Sequence, residues 1–153
     1  MKIGLIIGRF LPLHNGSLTL CKVAERLSDK LMIIIVNSPD DQIPIRLRVS
    51  WLKKEIPNAI VIDILQYGTK LKIHQLKEVL HYHRKKLGYK NFHLFSSDAS
   101  MLNFVKSLNL KYTILDPERL GQNIQSKEIL ANPYDYWSDI PISVRRSLIR
   151  RVV

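Results

Sequence analysis

Five short apolar runs alternate with helical patterns along this chain, and that alternation limits the folds open to it. The runs are Ile3–Ile7, Leu31–Val36, Ala59–Ile64, Phe92–Phe95 and Tyr112–Leu115. They are nearly continuous in apolar side chains, as strands buried on both faces are. Between them, Ser17–Leu27, Arg46–Glu55, Lys72–Leu87 and Ser100–Leu108 carry apolar residues near helical spacing. Pro44 precedes the second helix, Pro57-Asn58 ends it, and Gly88 stops the third. Strands and helices in turn, joined by right-handed crossovers, predict an α/β fold. It is a Rossmann-like doubly wound parallel sheet of about five strands, with C-terminal helices.

No internal repeat, low-complexity tract or linker interrupts the pattern, so residues 1–153 read as a single domain. Hydrophobic residues make up 46% of the chain, enough for a real core. No apolar run nears the roughly 20 residues that span a bilayer. Met1–Gly4 leads directly into the first strand, leaving no room for a signal peptide, and a cytoplasmic location is expected. Cys21 is the only cysteine, which excludes an intrachain disulfide and a cysteine-cluster metal site. Its place in the first helical pattern suits a small buried apolar residue.

Charge narrows the partners. Lys and Arg total 24 against 13 Asp and Glu, a formal +11. Such a surface attracts nucleotides, pyrophosphate, nucleic acid or acidic lipid. The excess sits in Lys53-Lys54, Arg84-Lys85-Lys86 and the group Arg145, Arg146, Arg150 and Arg151. Each cluster also fits the solvated face of a helix.

Open parallel sheets bind ligands beyond the carboxyl ends of their strands. The segments to read are therefore 8–17, 37–41, 66–70, 96–98 and 116–126. The first is the richest: Gly8-Arg9-Phe10-Leu11-Pro12-Leu13-His14-Asn15-Gly16-Ser17. It runs from a buried strand to a helix N-terminus, whose free N–H groups and partial positive charge attract phosphate. Gly8 and Gly16 let an anion approach the backbone. Arg9 and His14 add donors, and Pro12 stiffens the loop.

This segment resembles the GRFxPxHxGH signature of the adenylyl- and cytidylyltransferase superfamily. Gly8, Arg9, Phe10, Pro12, His14 and Gly16 match; Ser17 stands where the family has a second histidine. A second stretch, Asn132-Pro133-Tyr134-Asp135-Tyr136-Trp137-Ser138-Asp139-Ile140-Pro141, resembles the NPxxYWxxIP segment of NadR-type NMN adenylyltransferase domains. Its aromatic residues also suit packing of C-terminal helices onto the sheet. Arg46-Leu47-Arg48 with Trp51-Leu52, Ser96-Ser97-Asp98 and Asp116-Pro117-Glu118-Arg119 extend the likeness over essentially the whole chain. NadR-type proteins often carry a ribosylnicotinamide kinase domain as well. No G-x-x-x-x-G-K-[ST] phosphate loop occurs here, so no kinase domain is expected.

The resemblance implies transfer of AMP from ATP to a phosphorylated acceptor, NMN giving NAD, with release of pyrophosphate and Mg2+ accompanying the ATP. It implies His14 and Ser17 as the catalytic positions. Gly8, Arg9, Phe10, His14, Gly16, Ser96, Asp98, Ser126 and Lys127 would bind the nucleotide. Phe10 also fits a plain core contact, and Asp98 a helix cap. Asn37, Tyr67 and His74 are the candidates for the acceptor. The chain departs from the family again at 123–130, where ISGTxIR is the pattern. Gln125, Ser126 and Lys127 replace S-G-T, and Leu130 replaces the arginine. His74, His81, His83 and His93 lack the spacing of a metal site, and no protein-bound metal is expected.

Two other function classes stand beside the enzyme. Ser17 and Leu130 suit a catalytically silent nucleotide-binding sensor or interaction protein. The amphipathic segment Ser143–Val153 suits nucleic-acid binding through its arginines, though it carries no recognition motif. No membrane partner is expected, and a homo-oligomer is left open.

Overall fold

The first strand, β1 (Lys2–Gly8), buries side chains on both faces, as its near-continuous apolar sequence requires. Ile3 and Leu5 face one core cluster and Ile6 the other. In the computed structural model, residues 1–65, 73–97, 102–115, 131, 135 and 137–152 are described. After β1 come α1 (Asn15–Arg26), β2 (Lys30–Asn37), α2 (Ile45–Glu55), β3 (Ile60–Leu65), α3 (Ile73–Leu87), β4 (Asn91–Ser96), α4 (Leu102–Leu108) and β5 (Lys111–Ile114). A short 3-10 turn, Trp137–Asp139, then leads to α5 (Ile142–Val152).

The five strands form one parallel sheet in the order β3-β2-β1-β4-β5. The predicted doubly wound sheet is therefore present. The chain works outward from β1 to β3, then crosses to β4, so the order reverses between β1 and β4. Open α/β sheets hold their ligands at such a reversal. Register sets Gly8 of β1 beside Ile35 of β2, and Asn37 beside Leu65 of β3. Gly8, Asn37 and Ser96 thus end their strands on one edge of the sheet.

Two apolar layers sandwich the sheet. One joins Leu18, Cys21 and Ala24 of α1 with Trp51 and Leu52 of α2 and Val144 and Leu148 of α5. The other joins Leu76 and Leu80 of α3 to Leu5, Ile34 and Leu94. Trp51 Nε1 donates to Ser147 Oγ (3.1 Å) and Ser143 Oγ to Glu55 Oε1 (2.8 Å), so α5 is docked on α2. Burial, with the Glu25 carboxylate nearby, pushes the Cys21 thiol up to about 12. Cys21 is a core residue, as its place in the helical pattern implied. Gly88 takes a left-handed φ of 71° just past α3, a backbone that glycine adopts without strain.

Helix α1 begins at Asn15, two residues before the helical pattern suggests. The reason is its cap. His14 has extended backbone angles, and its ring accepts hydrogen bonds from the first turn. Among the described residues no helix is long and apolar enough to cross a membrane.

Candidate functional site

The turn from β1 to α1 is built around a buried aromatic ring. Phe10 sits at φ 53°, a left-handed conformation that costs a side-chain-bearing residue on the order of 1–3 kcal/mol. Burial of its ring in the core offsets that cost. The Leu11–Pro12 peptide is cis. The Phe10 ring lies against the Cα of Gly8, where an added Cβ would stand 3.1 Å from it. A side chain at Gly8 would therefore need the Phe10 ring to give by a few tenths of an ångström. Phe10, a nucleotide-binding candidate that also fits a plain core contact, is buried in the core and shapes the loop.

His14 is 7% exposed and sits at the head of α1. Its Nδ1 accepts from the N–H of Gly16 (3.1 Å) and of Ser17 (3.4 Å). A nitrogen that accepts cannot carry the proton, so the neutral ring holds it on Nε2. Burial lowers the proton affinity of His14, and the Asp139 carboxylate only partly opposes it. The ring is therefore a neutral Nε2–H donor, polarised through Nδ1 by the positive end of the helix. The free N–H groups expected to meet a phosphate at this helix start include those of Gly16 and Ser17. In the structure they are engaged by His14, which carries the helix's polarity to its own outer nitrogen.

The 3-10 turn Trp137–Asp139 lies over this helix start. Asn15 Nδ2 donates to Ser138 O across 123 positions of chain (3.2 Å). The guanidinium of Arg145 stacks 5.7 Å from the Trp137 ring centre, and its Nε donates to Ile140 O (2.8 Å). Arg145 is thereby committed to packing the aromatic segment, whereas Arg146 is exposed. The side chains of Arg150 and Arg151 lie outside the described residues.

Beside the turn is a polar cluster that joins Arg9 and Asn37 to Arg48, which the sequence offers only as part of the family likeness, and to Asp41. Arg48 of α2 is fully buried, and all five of its N–H donors are used. Nε donates to Ile43 O (3.1 Å), and one terminal nitrogen donates to Arg9 O (2.9 Å) and Val36 O (3.3 Å). The other terminal nitrogen donates to Asn37 Oδ1 (2.7 Å) and Asp41 Oδ2 (3.0 Å). Asp41 also accepts from the Ser38 N–H (2.7 Å) and from the half-exposed Arg9 guanidinium (2.9 Å). Burial would raise the Asp41 carboxyl, but the Ser38 amide, Arg9 and Arg48 together hold it below the usual carboxylate range. Burial works against the charge on Arg48, which Asp41 supports. One signal could have revealed the cluster. Arg48 is three and four residues from Trp51 and Leu52, on the face that the helical spacing assigns to the core.

The structure thus brings Gly8, Arg9, Phe10, His14, Gly16 and Ser17 into one turn, with Asn37 tied to it through Arg48. Ser96 ends β4, the strand across the reversal, and its carbonyl accepts from Leu115 N–H (2.7 Å). His74 is not part of this group. It is on α3, over the opposite face of the sheet from α1, paired with Glu78 (2.9 Å) in a cleft of about 430 Å3 against Leu108. Tyr67, Asp98, Ser126, Lys127 and Leu130 lie outside the described residues. Among the described residues no group of three or more His, Cys, Asp and Glu side chains is placed to hold a metal ion.

No protein-family model matches the chain. It is 24% identical to the trifunctional NAD biosynthesis/regulator protein NadR of Salmonella typhimurium, over 99% of this chain and 42% of that protein. A crystal structure of NadR protein in complex with NAD and AMP-PNP superimposes with a TM-score of 0.71 at 18% identity, covering 95% of this chain and 46% of that one. The fold is that of the NadR structure. A bifunctional NMN adenylyltransferase/ADP ribose pyrophosphatase from Francisella tularensis shares it, with a TM-score of 0.68 and 16% identity over 93% of this chain and 44% of that one. The chain spans less than half the length of each of these relatives.

Proposed function

We propose that this chain is a nucleotidyltransferase that moves AMP from MgATP to a phosphorylated acceptor, NMN, giving NAD and pyrophosphate. The observation that carries this reading is the state of His14. It is a buried, neutral Nε2–H donor fixed at a helix start, on the sheet edge where the strand order reverses. The likeness to NadR along nearly the whole chain supports the choice of acceptor.

In this reaction an oxygen of the acceptor phosphate forms a bond to the α-phosphorus. The bond from that phosphorus to the bridging oxygen breaks, and pyrophosphate leaves with the electron pair. The attacking phosphate is already a nucleophile, so no general base is required. The chain's work is positioning and charge stabilisation. His14 Nε2–H would meet an α-phosphate oxygen as negative charge grows on it. Arg9 keeps guanidinium donors besides the one on Asp41, and these suit the polyphosphate. Mg2+ travels with ATP as part of the substrate and neutralises its phosphates.

A second reading, a nucleotide-binding protein without turnover, is favoured by Ser17 at the place of the second signature histidine. One experiment separates the two: pyrophosphate release from MgATP with and without NMN, followed by identification of the product. NAD formation that falls at least a hundredfold in His14→Ala supports the enzyme. Tight binding of ATP or NMN with no product supports the second reading. Neither product nor binding overturns both.

A further inference from the structure

Buried Arg48 constrains what the site can recognise. A guanidinium has donors and no acceptor. The amide of Asn37 can therefore face Arg48 in one sense only, with Oδ1 inward at 2.7 Å. Its Nδ2 is left pointing away, with no partner among the described residues, from a partly exposed residue at the carboxyl end of β2. Arg48 also engages the neighbouring acceptors: the carbonyls of Arg9, Val36 and Ile43, and Asp41 Oδ2. In this cluster the donors left to face a ligand are Asn37 Nδ2 and the half-exposed Arg9 guanidinium.

We infer that Arg48 is a positioning residue that presents Asn37 to the acceptor substrate as a hydrogen-bond donor, making Asn37 a specificity residue for a carbonyl, carboxylate or phosphate oxygen. The inference rests on the proposed transferase reading. It differs from a merely structural role for Arg48 in predicting an effect on one substrate and not the other.

The test uses the full chain with NMN and MgATP as probes, by calorimetric titration and steady-state kinetics. Asn37→Asp keeps an oxygen on Arg48 and puts a second oxygen where the donor was. It is expected to weaken NMN at least tenfold in Kd and KM, with the KM for ATP within about threefold, since a lost bond to a charged or polar oxygen is worth roughly one to two decades. Arg48→Lys offers three donors for five acceptors and frees the amide to turn. It is expected to raise the NMN KM, and to add nothing further in an Asn37→Ala background. Unchanged NMN affinity in Asn37→Asp, or equal losses for NMN and ATP, overturns the inference alone. Failure of the unaltered chain to bind NMN overturns it together with the acceptor reading.

Discussion

Replacing Arg48 with methionine tests how much of this domain's stability rests on one buried cation. Methionine fills the volume of the arginine stem and supplies no donor. The change takes a donor away from three backbone carbonyls, from Asn37 Oδ1 and from Asp41 Oδ2. Asp41 keeps the Ser38 amide and Arg9, so its charge is weakened in support but not abandoned. Removing one member of a buried, hydrogen-bonded pair costs about 3–5 kcal/mol. Against a total stability of roughly 5–15 kcal/mol that is a large share. In a domain of this size each kcal/mol moves the melting temperature by about 2–4 °C, so a fall of about 6–20 °C is expected. Circular dichroism melts with a urea titration measure it, in Arg48→Met, Asp41→Asn and the double variant. Because the two residues share one network, the double variant should lose at least about 1 kcal/mol less than the sum of the singles. A melting temperature within about 2 °C of the unaltered chain, or strictly additive losses, would refute the account of Arg48 as the pin between β1, β2 and α2.

Two further outcomes follow from the turn. The lowered proton affinity of His14 means that the unfolded chain takes up its proton first as pH falls. The resulting stability is present above the unfolded value of 6.5 and is lost as pH drops below it, when protonation of Nδ1 also breaks the cap. His14→Asn keeps an N-cap without that titration, so melting temperatures measured from pH 5 to 7.5 should vary less. His93, lowered by burial and by Lys2 and Lys111, leaves a residual slope of the same sign. Ser17→His restores the second signature histidine, and NAD formation should rise on the order of 10- to 100-fold. No change in kcat, with NMN and ATP still bound, would remove Ser17 from the catalytic positions.

The sheet was legible because buried parallel strands leave short continuous apolar runs rich in β-branched residues, as Leu31–Val36 does. The loop that holds the candidate site was legible for the same reason, since Ile3–Ile7 delivers Gly8 to it. What the sequence hid was how side chains pair within that loop. Nothing in the order of residues says that Nδ1 of His14 takes the Gly16 amide, which advances the helix start and redirects its polarity. Asp41 and Arg48 sit in a charged loop and a charged helix, where solvated side chains are the ordinary expectation. Their burial arises only once β1, β2 and α2 converge on one point, a fact of three dimensions that no local window contains.

The bond from Asn15 to Ser138 also bears on how the protein is made. A ribosome delivers the chain in order, and β1, α1 and β2 can begin to collapse as soon as they emerge. Yet Phe10 and Leu13 share their core with Ile140, Val144 and Leu148. That loop is synthesised well before the last helix described, which completes its apolar cover. During that interval the exposed loop is a surface that chaperones can grip, and a chain cut before residue 137 would carry every strand of the sheet but leave its opening turn unsealed.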